Sequence, residues 1–188
     1  MFMFVVYTSR VKGKALLAPN EPTAEPAAED GSNLEGGEVA RAAAKAIGAH
    51  RVGIRLSPYG VFNGTGAFDE VDAQFKVLTQ ALSDLQLMYL HVLDHSAMGA
   101  PAVPAALKAE LRGLFKGPFI LAGGLDRDSA EQALAEGRAD LIGFGRPFLA
   151  NPDLVARMKA GVALNAPDMA TFYTADAKGY TDYPTWAG

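Results

Sequence analysis

Two glycine corners, one of them followed by arginine, are the residues best suited to chemistry in this chain. Gly123-Gly124 and Gly145-Arg146 each follow a short apolar run. Glycine lets backbone N–H groups approach a phosphate closely, and arginine can hold phosphate oxygens with two parallel hydrogen bonds. Each corner alone is also compatible with a plain strand-to-helix turn, where glycine is common. The two corners together with Arg146 favour a phosphate site.

The corners lie in a β-α-β pattern. The apolar runs 119–122 and 141–144 predict two strands, and the segment between them predicts a helix. Asp128 is its predicted N-cap, with Glu131 three residues later as in a capping box, and Gly137 is its predicted left-handed end. Because a right-handed crossover joins parallel strands, both glycine corners are expected at the same edge of the sheet.

Two further apolar runs predict strands before this unit. Arg55 lies inside the run 51–58, and arginine is rarely buried without a partner, so Arg55 is either ion-paired inside the protein or directed at a ligand. The run 87–93 is dense in apolar residues, as expected of a parallel strand covered on both faces. Asp94 and His95 follow it. Neighbours on a strand point to opposite faces, which favours structural roles over an acid–base pair.

Composition limits the classes of function. At 188 residues and 49% hydrophobic, the chain can bury one core, and its net charge of −4 without a basic cluster argues against nucleic-acid or anionic-membrane partners. Cysteine is absent, which excludes disulfides and thiolate ligands, and no two histidines have metal-ligand spacing, so no metal is predicted. The apolar start 1–7 is too short to span a bilayer and lacks signal-peptide features, so a cytoplasmic location is expected.

The chain divides into a short first part and a longer second part. Residues 1–37 predict a strand at 1–7 and then a linker rich in proline, alanine and acid at 8–37. Residues 38–188 predict one α/β unit. Its other helices are predicted at 38–47, 69–83 and 104–115, with one more that begins at Asn151-Pro152.

Three ordered motifs carry a resemblance to a known family. AGG at 122–124, GFGRPFLANPDLVARM at 143–158 and FYTADAKGYTDYP at 172–184 resemble the old yellow enzymes, FMN-dependent NAD(P)H oxidoreductases that reduce activated alkenes. The resemblance covers residues 51–184 and does not extend to residues 1–38. It implies a partial (β/α)₈ TIM barrel, the C-terminal half with strands five to eight, preceded by a divergent N-terminal segment. The run 51–58 would be strand five and the run 141–144 strand eight.

The resemblance also implies roles for particular residues. The FMN phosphate would be held by Gly123, Gly124, Gly145 and Arg146, the flavin N1 edge would lie beside Arg55, and the pocket wall would include Tyr173. The substrate-orienting His-His or His-Asn pair of the family and its usual tyrosine proton donor belong to the first half of its barrel. No catalytic residue is therefore assigned in this chain.

The same resemblance implies a cofactor and partners. The resemblance implies FMN as cofactor, NAD(P)H as reductant, and a small-molecule acceptor such as an enone or nitro compound. A half barrel would expose two sheet edges and an apolar interior, so a homo-oligomer or a complementing first-half chain is expected to cover them. The alternatives are a non-catalytic half-barrel that binds FMN or phosphate, and a truncated fragment that needs a partner chain.

Overall fold

Five parallel strands form a single sheet in the computed structural model, which describes residues 4–7, 34–62, 68–174 and 177–187. The strands follow one another in the sheet in chain order. They are β1 (Phe4–Tyr7), β2 (Val52–Leu56), β3 (Tyr89–Leu93), β4 (Phe119–Ala122) and β5 (Leu141–Gly143). Because all five run in the same direction, their carboxyl ends meet at one edge, where ligands of β/α barrels bind.

Helices connect the strands. They are α1 (Leu34–Ile47), α2 (Val71–Asp84), α3 (Ala105–Leu114), α4 (Arg127–Ala135), α5 (Arg146–Ala150) and α6 (Leu154–Ala160). The first four each lie between two successive strands, as parallel pairing requires. No helix in the described ranges is both long and apolar enough to cross a membrane.

Alternate strand residues divide between the two faces of the sheet. One face packs against the helices, and its buried residues are Val52, Ile54, Leu56, Leu90, Val92, Phe119 and Leu121. The other face corresponds to the interior of a barrel. There the pairing register aligns Arg55, His91, Ile120 and Leu141 across four strands. Leu141 is 54% exposed on this face, which is the expected state of a barrel interior whose opposite wall is not formed by the described residues.

The predicted half barrel is confirmed in these elements. Strands β2 to β5 are the four that the sequence assigns as barrel strands five to eight, and each differs from its predicted range by at most a few residues. The predicted first strand is present as Phe4–Tyr7 and pairs in parallel with β2, at the edge of the sheet. The predicted linker lies outside the described residues for 8–33, while α1 already begins at Leu34. The division at residue 37 stays a prediction.

Two predicted helix starts are wrong, for local reasons. The backbone of Asp126 is extended, so its carboxylate accepts from Ser129 N at 2.9 Å, and these two residues form the capping box in place of Asp128 and Glu131. The helix expected at Asn151-Pro152 begins only at Leu154. Asn151 is fully buried with an extended backbone, and its side chain donates to Pro147 O and accepts from Asn165 N, which fixes a turn before the helix.

The C-terminal tail is held by Arg157, a buried arginine on α6. Its guanidinium donates to Asp153 Oδ1 at 2.8 Å, to Ala163 O at 2.8 Å and to Pro184 O at 3.1 Å. Asp153 in turn accepts from Trp186 N. These bonds satisfy an otherwise costly buried charge and tie the end of the tail to α6.

Candidate functional site

The first corner follows β4 and permits only glycine. Gly123 has φ 110°, and a Cβ there would lie 1.9 Å from Asp94 O, so the backbones at the ends of β3 and β4 touch at this point. Gly124 also has a left-handed backbone, with φ 68°. Both corner residues are therefore glycine for a steric reason, and neither has a side chain of its own that would cover its backbone amide.

The second corner follows β5 and meets the first one at Ala97. A Cβ on Gly145 would have no heavy atom within 4 Å, so the space beside it is open. Arg146 donates from Nη2 to Ala97 O at 3.4 Å, and a Cβ on Gly124 would lie 3.3 Å from the Ala97 methyl group. The two corners thus converge on one residue of the β3–α3 loop. An open glycine cradle beside a guanidinium fits a phosphate group.

Arg55 lies two strands from the first corner, on the barrel-interior face of β2. Its register neighbour on β3 is His91. Burial, and then the positive charge of Arg55, lower the pKa of His91 to about 4 and also lower the pKa of His95. The interior of the half barrel at this level therefore carries a fixed positive charge beside a neutral imidazole.

His91 on β3 contributes an imidazole to this interior face. His91 Nε2 is buried, and it has no hydrogen-bond partner among the described residues. A Cβ on Gly143 would lie 3.5 Å from this nitrogen, so the imidazole reaches across the interior towards β5. In a neutral imidazole, one ring nitrogen can accept a hydrogen bond.

Stability is expected to fall as the pH drops from 6.5 to about 4, the ordinary and folded-state pKa values of His91. In this window unfolded His91 is protonated and folded His91 is not, so unfolding takes up close to one proton and the free energy of unfolding decreases with falling pH. Urea unfolding across the window measures this slope. The slope should be shallower in His91→Gln than in His50→Gln, which changes a histidine at an exposed turn. An equal slope in both variants would contradict the assignment.

Asp94 has a structural role, as the sequence favoured over an acid–base pair. Its carboxylate accepts from Ser96 N at 2.9 Å, Val103 N at 3.2 Å and Lys108 Nζ at 2.9 Å. Burial by itself raises the pKa of Asp94, but the hydrogen bonds from Lys108 and Ser96 outweigh it and leave the pKa below its ordinary value. Asp94 is therefore an ionised anchor rather than a proton donor.

Tyr173 does not join these residues within the chain. It lies in a turn after the short 3₁₀ helix Met169–Thr171 and is 95% exposed. Its assignment to a pocket wall stays a prediction. Among the residues that the structure describes, no cluster of three or more histidine, aspartate or glutamate side chains is arranged to hold a metal ion.

Sequence reasoning missed the residues that support the corners. Ala97 carries no chemical signal, and its contacts come from its backbone carbonyl and methyl group. The Asp94–Lys108 ion pair joins residues separated by 14 positions. The only sequence signal for it was a carboxylate directly after a buried strand.

Comparisons with known proteins find a matching family and several relatives. A sequence model described as the NADH:flavin oxidoreductase / NADH oxidase family matches residues 37–165. 12-Oxophytodienoate reductase 2 of Arabidopsis thaliana is 40% identical over an alignment of 151 residues that covers 79% of this chain and 40% of the relative. A chanoclavine-I aldehyde reductase of Penicillium roqueforti is 41% identical over an alignment of 153 residues that covers 78% of this chain and 41% of the relative.

Solved structures agree with the sequence relatives. Morphinone reductase is 41% identical and superposes with a TM-score of 0.73 over 79% of this chain and 40% of its own. Its complex with tetrahydroNAD gives a TM-score of 0.71 at 40% identity, over 79% of this chain and 39% of the other. The chain therefore spans about two fifths of the length of these relatives.

The matched residues include Arg55, both glycine corners and Arg146, while β1 and Tyr173 lie outside them. FMN is the cofactor that this family implies, and a nicotinamide is its reductant. The resemblance to the old yellow enzymes is confirmed, and the chain belongs to the NADH:flavin oxidoreductase / NADH oxidase family.

Proposed function

We propose that this chain binds FMN through its phosphate and supplies the cofactor-binding half of an NAD(P)H oxidoreductase that reduces activated alkenes, such as enones or nitro compounds. The convergence of Gly124 and Arg146 on Ala97 is the observation that carries the proposal. It brings a glycine corner and a guanidinium from neighbouring strands to one edge of the sheet. That edge is where a phosphate site forms in β/α barrels, from the loops after the last two strands.

When bound, FMN supplies hydride transfer between the nicotinamide and the acceptor. The chain's own residues bind and orient it. Backbone amides of the glycine corners and the Arg146 guanidinium hold the phosphate, and Tyr173 contributes to the wall of the pocket. Arg55 would place a fixed positive charge beside the flavin N1 edge and would stabilise negative charge there. None of these residues donates the proton.

A non-catalytic role for the isolated chain is the second candidate. The barrel-interior Leu141 is 54% exposed, and Phe148 on α5 is 50% exposed. We propose that a second copy or a complementing first-half chain covers these residues and completes the pocket. We also propose that the protein is cytoplasmic. A monodisperse monomer in light scattering that binds FMN and turns over would contradict the need for a partner.

Visible absorbance tests the proposal. The purified chain is mixed with FMN, separated from free flavin, and recorded before and after anaerobic NADPH or NADH. Bound flavin that bleaches and recovers on addition of an enone supports the reductase. Bound flavin that never bleaches supports the non-catalytic half-barrel, and a chain that retains no flavin contradicts the cofactor assignment.

A further inference from the structure

The β3–α3 loop, residues 94–104, contacts both glycine corners through Ala97 and is fixed at both ends by Asp94. The Asp94 backbone N–H donates to Ala122 O at 2.9 Å, and its carbonyl lies against Gly123. Its carboxylate accepts from Ser96 N near the start of the loop and from Val103 N at its end. One carboxylate thus closes the loop on itself and docks it against β4.

Lys108 on α3 holds this carboxylate in place. The Nζ–Oδ2 distance is 2.9 Å, and Asp94 is 7% exposed. A buried carboxylate that loses its cation keeps its desolvation cost without the compensating attraction, so the loop geometry depends on Lys108. The loop in turn carries Ala97, whose carbonyl accepts from Arg146 and whose methyl group packs against Gly124.

We propose that Asp94, held by Lys108, is a positioning residue for the phosphate site: it fixes the loop on which Ala97 aligns the Arg146 guanidinium with the Gly124 corner. The identity of the phosphate as that of FMN rests on the proposed function. A purely structural role for the ion pair would stabilise α3 and the loop but would not distinguish a phosphorylated ligand from an unphosphorylated one.

The chain contains a matched control for Lys108. Lys76 on α2 pairs with Glu110 on α3 at the same 2.9 Å, on the solvent side of the same helix. Lys108→Met and Lys76→Met therefore each remove one lysine charge and one ion pair. The first pair joins α3 to Asp94, and the second joins α2 to Glu110 on α3. Lys108→Arg restores the charge and a donor to Asp94.

The experiment measures the dissociation constants of FMN and of riboflavin, which lacks the phosphate, by quenching of flavin fluorescence. Lys108→Met is expected to weaken FMN binding by about tenfold and riboflavin binding by less than about twofold, since one well-aligned charged hydrogen bond contributes roughly that factor. Lys76→Met should change neither constant, and Lys108→Arg should recover most of the FMN affinity. Equal losses for both ligands, or no loss, would overturn the positioning role.

A ligand-free measurement separates this inference from the proposed function. Amide hydrogen exchange by NMR should be faster at Ser96 and Val103 in Lys108→Met, and the Gly124 amide resonance should shift, with no such change in Lys76→Met. An unshifted Gly124 resonance would overturn the inference even if FMN binds. If the unaltered chain binds no FMN, the proposed function fails, and the exchange data alone decide whether Asp94 positions the corner.

Discussion

Arg146→Ala is expected to weaken FMN binding by roughly 100-fold, since two charge-assisted hydrogen bonds to the phosphate contribute about that much. Riboflavin binding should change little, because the guanidinium lies at the glycine corners and would not touch the ring. Arg146→Lys keeps the charge but loses the planar fork, so an intermediate loss is expected. Fluorescence titration with both flavins measures the two affinities.

Arg138→Ala is the control for this substitution. Arg138 precedes β5, whereas Arg146 follows it. The Nε atom of Arg138 lies 2.6 Å from Oε2 of Glu136 in an exposed ion pair. Removal of Arg138 should leave both flavin affinities unchanged. If Arg146→Ala and Arg138→Ala behave alike, Arg146 does not hold the phosphate and the proposed site is wrong.

Gly123→Ala is expected to cost about 3 kcal/mol in the free energy of unfolding. A left-handed backbone with a Cβ accounts for about 1–2 kcal/mol, and the forced shift away from Asp94 O accounts for about 1–3 kcal/mol. The clash is with backbone, 1.9 Å from the Cβ position, so no side chain can rotate away to relieve it. Urea unfolding followed by circular dichroism measures the loss.

Gly113→Ala provides the opposite case in the same chain. Gly113 lies in α3, and a Cβ there would meet no heavy atom within 4 Å, so alanine should stabilise the protein by up to about 1 kcal/mol. If Gly123→Ala and Gly113→Ala unfold at the same urea concentration, then the backbones of β3 and β4 do not approach as closely at the corner as described.

The positions of the strands and of the glycine corners were predictable because they depend on local signals. Apolar runs of strand length marked β2 to β5, and glycine at 123 and 124 marked backbone that other residues cannot adopt. The wrong capping residue shows the limit of such signals. Asp126 and Asp128 both precede an apolar-periodic segment, and only the extended backbone at Asp126 decides which one caps α4.

The residues that support the site contact one another across long separations in the sequence, and no local pattern encodes such contacts. Asp94 and Lys108 meet because α3 packs with Lys108 turned towards the end of β3. Ala97 is chemically silent in the sequence, yet it is where Arg146 and Gly124 meet. Residues of this kind become visible only when rotation of the helices and register of the strands are known.

The pairing of β1 with β2 has a consequence for assembly. An eight-stranded barrel that keeps the five strands described here has room for three more, so a first half that brings four strands competes with Phe4–Tyr7 for the same backbone edge of β2. Such a first half could pair with β2 only after β1 had left this edge. Removal of residues 1–33 should then speed complementation by a first-half chain, and an unchanged rate would mean that β1 is part of the finished barrel.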